Sequence, residues 1–239
     1  MSKTEGFFIT GTDTEIGKTL VAGALIYKFR EHGINALGFK PVAAGTYQDS
    51  QGKVLNEDIE TLRIAANLEP SQMMPSPYVF DMPIAPHIAA EKLGKSLNIS
   101  TILESYKEVI RQTNLIIIEG AGGLLIPLNA AENLGDLAQK LELPVIIVVG
   151  MRLGCINHAL LTYEAITSRK LIVAGWVANC LSSEMPFLQE NIKTLQSKID
   201  APLLGSIPPL PKHLQKSNNS PYSIEALQFA AQHLSLPNP

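Results

Sequence analysis

Short apolar runs alternate along the chain with longer amphipathic stretches. The apolar runs are Phe7–Thr10, Ala36–Phe39, Leu115–Ile118, Val145–Val149, Ile172–Val177 and Leu203–Ile207. They are rich in Val and Ile and apolar on both faces, the pattern of strands buried in a parallel sheet. Helical spacing falls near Lys18–Glu31, Asp58–Ala66, Ser100–Arg111, Asn133–Leu141, Ile156–Ser168, Phe187–Ser197 and Ser223–His233. Alternation of strand and helix predicts an α/β fold, a mostly parallel central sheet with helices on both faces. Ligands of such sheets bind at the carboxyl ends of the strands. The proline-rich segment Met73–Pro86 reads as irregular.

Composition narrows the function classes. With 239 residues, 46% of them hydrophobic, residues 1–239 suit one large domain better than two small ones. The net charge is -3 and no Lys/Arg stripe forms, which argues against a grip on nucleic acid. No uninterrupted apolar stretch reaches the ~18–20 residues that cross a bilayer. The opening MSKTEG leads into a strand without the long apolar region of a signal peptide. Cys155 and Cys180 are too few for a disulfide framework and are expected to be reduced thiols. Together these predict a cytoplasmic protein with no membrane partner.

The sharpest motif follows the first strand and opens the first helix: Gly11-Thr12-Asp13-Thr14-Glu15-Ile16-Gly17-Lys18-Thr19. A phosphate-binding loop usually has four residues between its glycines, and this one has five. The chemistry survives the insertion. Backbone N–H groups and a helix N-terminus can cradle phosphate oxygens. Gly17 permits close approach, Lys18 can meet the outer phosphates, and the Thr19 hydroxyl can hold Mg2+. Mg2+ needs further oxygen ligands. Glu119 ends the strand LIIIEG, where such a loop places its metal-side acid, although a strand-end charge facing water is the plainer reading. Asp58, in NEDIE, reads by itself as a helix cap or first-turn acid. Lys40 by itself is a strand-end lysine in solvent, and Asn179 a strand-end turn residue.

The motifs GTDTEIGKT, GFKPVAAG, IEGAGG, LPVIIVVGMRLGCINHALLT, GWVAN and APLLGSIP come in the order and spacing of the dethiobiotin synthetases. The chain resembles that family from about Phe7 to about Pro209, which implies a P-loop NTPase fold. The resemblance implies that Thr19, Asp58 and Glu119 surround Mg2+ and that Glu15, Ile16, Gly17, Lys18, Thr19 and Leu20 wrap the triphosphate of ATP. It implies that Gly120, Ala121 and Gly122 lie along the nucleotide. Asn179, with Cys180 beside it, would read the adenine edge, and Pro208, Pro209 and Leu210 would wall it. Lys40 and Lys18 would be the catalytic cations. The substrate would contact Thr14, Ala44, Gly154, Cys155 and Asn157, the last three at a helix N-terminus suited to its carboxylate. That helical region would also form a two-fold homodimer interface, so Asn157 could serve the neighbouring subunit.

The implied reaction joins 7,8-diaminononanoate to CO2 with ATP as co-substrate. It runs through a carbamate and a carbamic–phosphoric anhydride to a closed ureido ring. Two departures stand out. Where the family commonly has serine the chain has Ala44, so that hydroxyl contact is lost or passes to Thr46. An acid beyond the IP element is replaced, with Gln215 nearest. Asn157, His158 and His87 also fit capping or packing roles, Asp136 a cap or the surface, and Trp176 the core. A rival reading is a nucleotide-switched assembly ATPase of the plasmid-partitioning or septum-positioning kind. That class would carry an early loop lysine, where this chain has Thr12, Asp13 and Thr14. A cobyrinate-amidating enzyme would need a glutaminase domain for which the chain has no room.

Overall fold

The computed structural model describes residues 5–72, 74–182 and 185–237. Met1–Thr4 of the opening segment and Met73 of the proline-rich segment lie outside the described residues. The first half of the chain runs β1 (Glu5–Gly11), α1 (Lys18–Glu31), β2 (Ala36–Phe39), β3 (Val42–Ala44), β4 (Tyr47–Gln48) and β5 (Val54–Leu55). It continues with α2 (Glu57–Ala65), β6 (Tyr78–Phe80), α3 (Pro86–Lys92) and α4 (Ile99–Val109). The second half runs β7 (Leu115–Gly123), α5 (Leu134–Leu141), β8 (Val145–Met151), α6 (Cys155–Thr167) and β9 (Val173–Cys180). It ends with α7 (Leu188–Lys198), β10 (Leu203–Ile207) and α8 (Ile224–Gln232).

Six strands form one sheet in the order β10-β9-β8-β1-β7-β2, and every neighbouring pair is parallel. These are the six apolar runs of the sequence. Every residue of β8 is buried, as is every residue of β2, which leaves no solvent face on either side. Such strands need both faces covered. One packed group of helices is α1, α2 and α8, with α1 against β1, β2 and β7. Another is α6 and α7, with α6 against β8 and β9. The core runs unbroken through the sheet, with Phe7, Phe8, Ile116, Ile147 and Trp176 all fully enclosed.

Local chemistry sets the helix starts. The Asn56 side chain accepts from the N–H groups of Asp58 and Ile59 at the N-terminus of α2. A reciprocal capping box opens α5, with Asn133 accepting from the Asp136 N–H and Asp136 accepting from the Asn133 N–H. Asp136 is thus a capping residue.

The small elements depart from the sequence reading. The segment Met73–Pro86 contains β6, which pairs in parallel with β3 from Val42↔Tyr78 to Ala44↔Phe80. The hairpin β4–β5 was also not anticipated, whereas α3 starts at the APHIAA segment, where His87 fits helix-start packing. Strands of two or three residues are too short to display alternation, and β3 and β6 are also remote from each other in sequence. Among the described residues no helix is long and apolar enough to cross a membrane. Cys155 and Cys180 are buried free thiols.

The β10 edge is closed by the chain end. Gly205 bridges Leu234, and the Ser235 N–H donates to the Leu204 carbonyl at 2.7 Å. A Cβ at Gly205 would stand 1.9 Å from the His233 carbonyl oxygen. Gly205→Ala should therefore push the segment after α8 off the sheet and cost about 2 kcal/mol, the scale of overpacking a tight contact. Urea unfolding followed by circular dichroism would read the loss as a lower midpoint.

Candidate active site

The phosphate loop joins β1 to α1 at the carboxyl end of the central strand. Its backbone holds two positive-φ residues, Glu15 (φ 58) and Gly17 (φ 86). Such alternation turns successive N–H groups toward one concavity, the arrangement that binds anions. Glu15 is strained in this region, as functional loops often are. Gly17 is needed twice over. It holds the left-handed conformation at the start of α1, and a Cβ there would lie 2.2 Å from Asn179 Nδ2. The amide of Asn179 donates to the Ile16 carbonyl at 2.8 Å, bracing the loop from the end of β9.

Beside the loop opens a cavity of about 870 Å³. Thr14, Glu15, Gly17, Lys18 and Thr19 line one wall, and Lys40, Ala44, Asp58, Glu119, Ala121 and Gly122 line others. Three elements converge on one hydroxyl. Thr19 Oγ1, in the first turn of α1, lies 2.6 Å from Asp58 Oδ1 and 2.7 Å from Glu119 Oε1. Lys40, just past β2, places Nζ 2.8 Å from Asp58 Oδ2 and 2.8 Å from Glu119 Oε1. It also donates to the Gly120 carbonyl at 3.3 Å. Lys40 is 4% exposed and Glu119 1%, so Lys40 is no solvent-facing strand-end lysine. Asp58 is a first-turn acid of α2, as its position in NEDIE implies, and at the same time a member of this cluster.

Burial works against the charge on Lys40, but Asp58 and Glu119 outweigh it and hold its ammonium above the ordinary lysine range. Burial, reinforced by Asp58, raises the Glu119 carboxyl. Asp58 is buried too, yet Lys40 beside it holds its carboxyl below the usual range. Burial lowers Lys18 to about 8, with nearby Lys40 adding to the effect. Its Nζ donates to the Asp13 carbonyl at 2.7 Å, within its own loop. An arriving phosphate would favour the charged form of such a lysine.

The cluster is short of positive charge. A hydroxyl carries one proton, so Thr19 can satisfy only one of the two carboxylate oxygens that press on it. Glu119 Oε2 is buried with no hydrogen-bond partner at all. Two carboxylates and a hydroxyl crowded together, with an orphaned carboxylate oxygen, suit a hard cation that takes oxygen ligands, and Mg2+ fits that description. Among the described residues no group of three or more His, Cys, Asp or Glu offers another metal site.

Other predicted residues lie elsewhere. Ile16 and Leu20 are core side chains whose backbone alone faces the loop. Asn179 and Cys180 end β9 next to the Pro208–Leu210 stretch, outside the cavity lining, with Ile207 in register with Asn179. Gly154, Cys155 and Asn157 open α6 and also lie outside this cavity, with Gly154 as cap. Gly154 caps α6 with no side-chain cap hydrogen bond, so Asn157 and His158 are not capping residues, and His158 is exposed and not buried. His87 lies in the first turn of α3, its Nδ1 buried without a partner, and Trp176 is core. Thr46, the alternative to the missing serine hydroxyl, donates to Asp81 Oδ1 at 2.8 Å and is not among the cavity-lining residues. Gln215 turns back on its own segment, donating to the Leu210 carbonyl at 2.9 Å. Sequence reasoning missed other lining residues of the cavity: Pro83–Pro86, Glu57, and the stretch Lys216–Asn219 with Tyr222. Only Glu57 had a local signal, standing beside Asp58 behind the Asn56 cap.

A protein-family model described as an AAA domain matches residues 5–217. The ATP-dependent dethiobiotin synthetase BioD of Aromatoleum aromaticum is 47% identical over 208 residues, covering 87% of this chain and 92% of that one. The ATP-dependent dethiobiotin synthetase BioD of Cellvibrio japonicus is 49% identical over 210 residues, covering 88% and 91%. The chain belongs to the dethiobiotin synthetase family. Solved structures add the fold. The MinC:MinD cell division protein complex of Aquifex aeolicus matches with a TM-score of 0.57 at 14% identity, covering 95% of this chain and 94% of that one. A ParA family ATPase from Chlorobium tepidum matches with a TM-score of 0.55 at 14% identity, covering 97% and 100%. At such identity the likeness is one of fold alone, and the fold is that of a P-loop NTPase.

Gly17→Ala should force the loop away from Asn179 and abolish nucleotide binding while the sheet stays folded. Calorimetric titration with ADP, beside far-ultraviolet circular dichroism, checks both halves of that outcome.

Proposed function

We propose that this chain is an ATP-dependent dethiobiotin synthetase of biotin biosynthesis, acting on 7,8-diaminononanoate, CO2 and ATP. The observation that carries the reading is the meeting of Lys18, Lys40, Thr19, Asp58 and Glu119 on one cavity beside the phosphate loop, in a member of this family.

In the proposed reaction one amine of the substrate takes up CO2 and loses a proton, giving a carbamate. A carbamate oxygen attacks the γ-phosphorus, and the bond to ADP breaks. The second amine then attacks the carbamoyl carbon, the bond from that carbon to the phosphate oxygen breaks, and the ureido ring closes as phosphate leaves with the proton the amine gives up. Two unit negative charges at ~4 Å repel by roughly 4 kcal/mol at an effective dielectric near 20, so carbamate and γ-phosphate meet only between fixed cations. Lys18 and Lys40 fill that role as electrostatic clamps. No covalent nucleophile is required.

Mg2+ would be held by Thr19, Asp58 and Glu119, and when bound it supplies neutralising charge to the phosphate oxygens. The backbone of Glu15–Leu20 and the Gly120–Gly122 turn would wrap the phosphates. Asn179, Cys180, Pro208, Pro209 and Leu210 would receive the base. Thr14 and Ala44 would flank the diamine. The α6 N-terminus, with Gly154, Cys155 and Asn157, would take a carboxylate, serving the partner's site across a two-fold homodimer. Such an enzyme would work in the cytoplasm, with residues 1–239 acting as one synthetase domain.

Phosphate release from Mg·ATP with bicarbonate-derived CO2 should depend on 7,8-diaminononanoate and yield a product of dethiobiotin mass. Steady hydrolysis indifferent to the diamine would reject the reading. Glu119→Gln should raise the half-saturating Mg2+ concentration about tenfold or more, by analogy with losses of oriented ligand shells. An unchanged Mg2+ titration removes Glu119 from the metal site.

A further inference from the structure

The stretch after β10 brings a third cation to the cavity. Lys216 lines its wall with Ser217, Asn219 and Tyr222. Its ammonium lies 2.6 Å from Glu57 Oε1 and 5.5 Å from the centre of the Tyr222 ring. The backbone around it is pinned. The Tyr222 N–H donates to Thr61 Oγ1 at 3.0 Å, and that hydroxyl donates to the Glu57 carbonyl at 2.7 Å, tying the stretch to α2. Gln215 ties the other side to Leu210. The backbone is therefore set in place, and the side chain is left to move.

The three lysines on the cavity are not equivalent. Lys40 is enclosed between Asp58 and Glu119, and Lys18 is enclosed within its own loop. Lys216 is 28% exposed and paired with a Glu57 carboxylate that is itself 34% exposed. An ion pair that open holds its partners weakly, so a denser anion can displace one of them. The cavity wall carries Lys18, Lys40 and Lys216 against Glu15, Glu57, Asp58 and Glu119, four carboxylates to three ammoniums. A polyphosphate entering this field needs every cation that can turn to it. Glu57 precedes Asp58 in the first turn of α2, Asp58 touches Thr19 of the phosphate loop at 2.6 Å, and Lys216 lines the same cavity as Lys18 and Thr19.

We propose that Lys216 is a phosphate-binding residue for the nucleotide, held ready by Glu57 and handed to a phosphate oxygen when the nucleotide enters. The proposal rests on the synthetase reading of the same site. Tyr222 supports the ammonium from behind with its ring face, which attracts a cation without competing as a full negative charge. Glu57 serves as a placeholder for the phosphate.

The test uses the full chain and two ligands, ADP and a non-hydrolysable ATP analogue, titrated by calorimetry. Lys216→Gln should weaken both about tenfold, the loss of one charge-assisted hydrogen bond. Lys216→Arg should restore most of that affinity. Glu57→Gln should leave nucleotide affinity equal or tighter, because it removes the competitor for Lys216. A merely structural pair would instead make Glu57→Gln and Lys216→Gln weaken binding alike, and that result overturns the proposal. In turnover, Lys216→Gln should raise KM for ATP and leave KM for 7,8-diaminononanoate unchanged. A rise confined to the diamine would give Lys216 to the substrate carboxylate and overturn the proposal. So would unchanged nucleotide affinity in a Lys216→Gln protein whose thermal midpoint matches wild type. Wild-type turnover is measured first. If it fails to depend on the diamine, the synthetase reading falls, while the binding titrations still judge Lys216.

Discussion

A buried ammonium survives only if the structure surrounds it with negative charge, and Lys40 is such a group. Its two carboxylates come from separate elements, Asp58 from the first turn of α2 and Glu119 from the end of β7. Removing Lys40 would leave two adjacent enclosed carboxylates without their counter-charge. The cluster therefore constrains β2, α2 and β7 together, and through Thr19 it also fixes α1. Asn56 extends the constraint. It caps α2 with its side-chain oxygen and donates its amide to the Gly45 carbonyl at 2.7 Å, so the helix start and the loop after β3 move as one.

The charge balance of the cluster suits a protein that waits for its ligand. Glu119 keeps one carboxylate oxygen unpaired in the interior, a cost that a folded protein accepts where something else completes the set. Lys18 is folded back on the carbonyl of Asp13, which gives its buried ammonium an interim partner. The resting site is thus assembled in shape and incomplete in charge. Such preorganisation leaves little to rearrange when phosphates arrive.

The central sheet was legible in the sequence because strands buried on both faces are written as unbroken apolar runs, and all six stand where those runs stand. Helix α1 was legible for a similar reason, since the phosphate loop marks its first residue. The charged cluster was legible only in part. Asp58 looks like any first-turn acid until the fold brings it 39 residues back to Thr19, and Lys40 meets Glu119 across 79 residues. Local spacing carries no record of such encounters, so the family resemblance had to name them. Lys216 and Tyr222 escaped even that, because the stretch beyond Lys212 has no motif and its place on the cavity is set by the docking of α8 against α1. The small strands β3 and β6 escaped because three residues are too few to show a period.

The sheet order has a bearing on how the chain acquires its shape during synthesis. β1 is the first strand made and the innermost in the sheet, yet its neighbours β7 and β8 arrive far downstream, with Phe8 in register with Ile118 on one side and Val145 on the other. Until β7 has left the ribosome, the backbone N–H and C=O groups of β1 have no partner strand in the sheet, and one edge of β1 waits further for β8. Pairings of such long reach form slowly and expose sticky segments meanwhile. The phosphate loop, attached directly to β1, can take its working form only late. The site nearest the start of the chain is therefore shaped by strands that come more than a hundred residues after it.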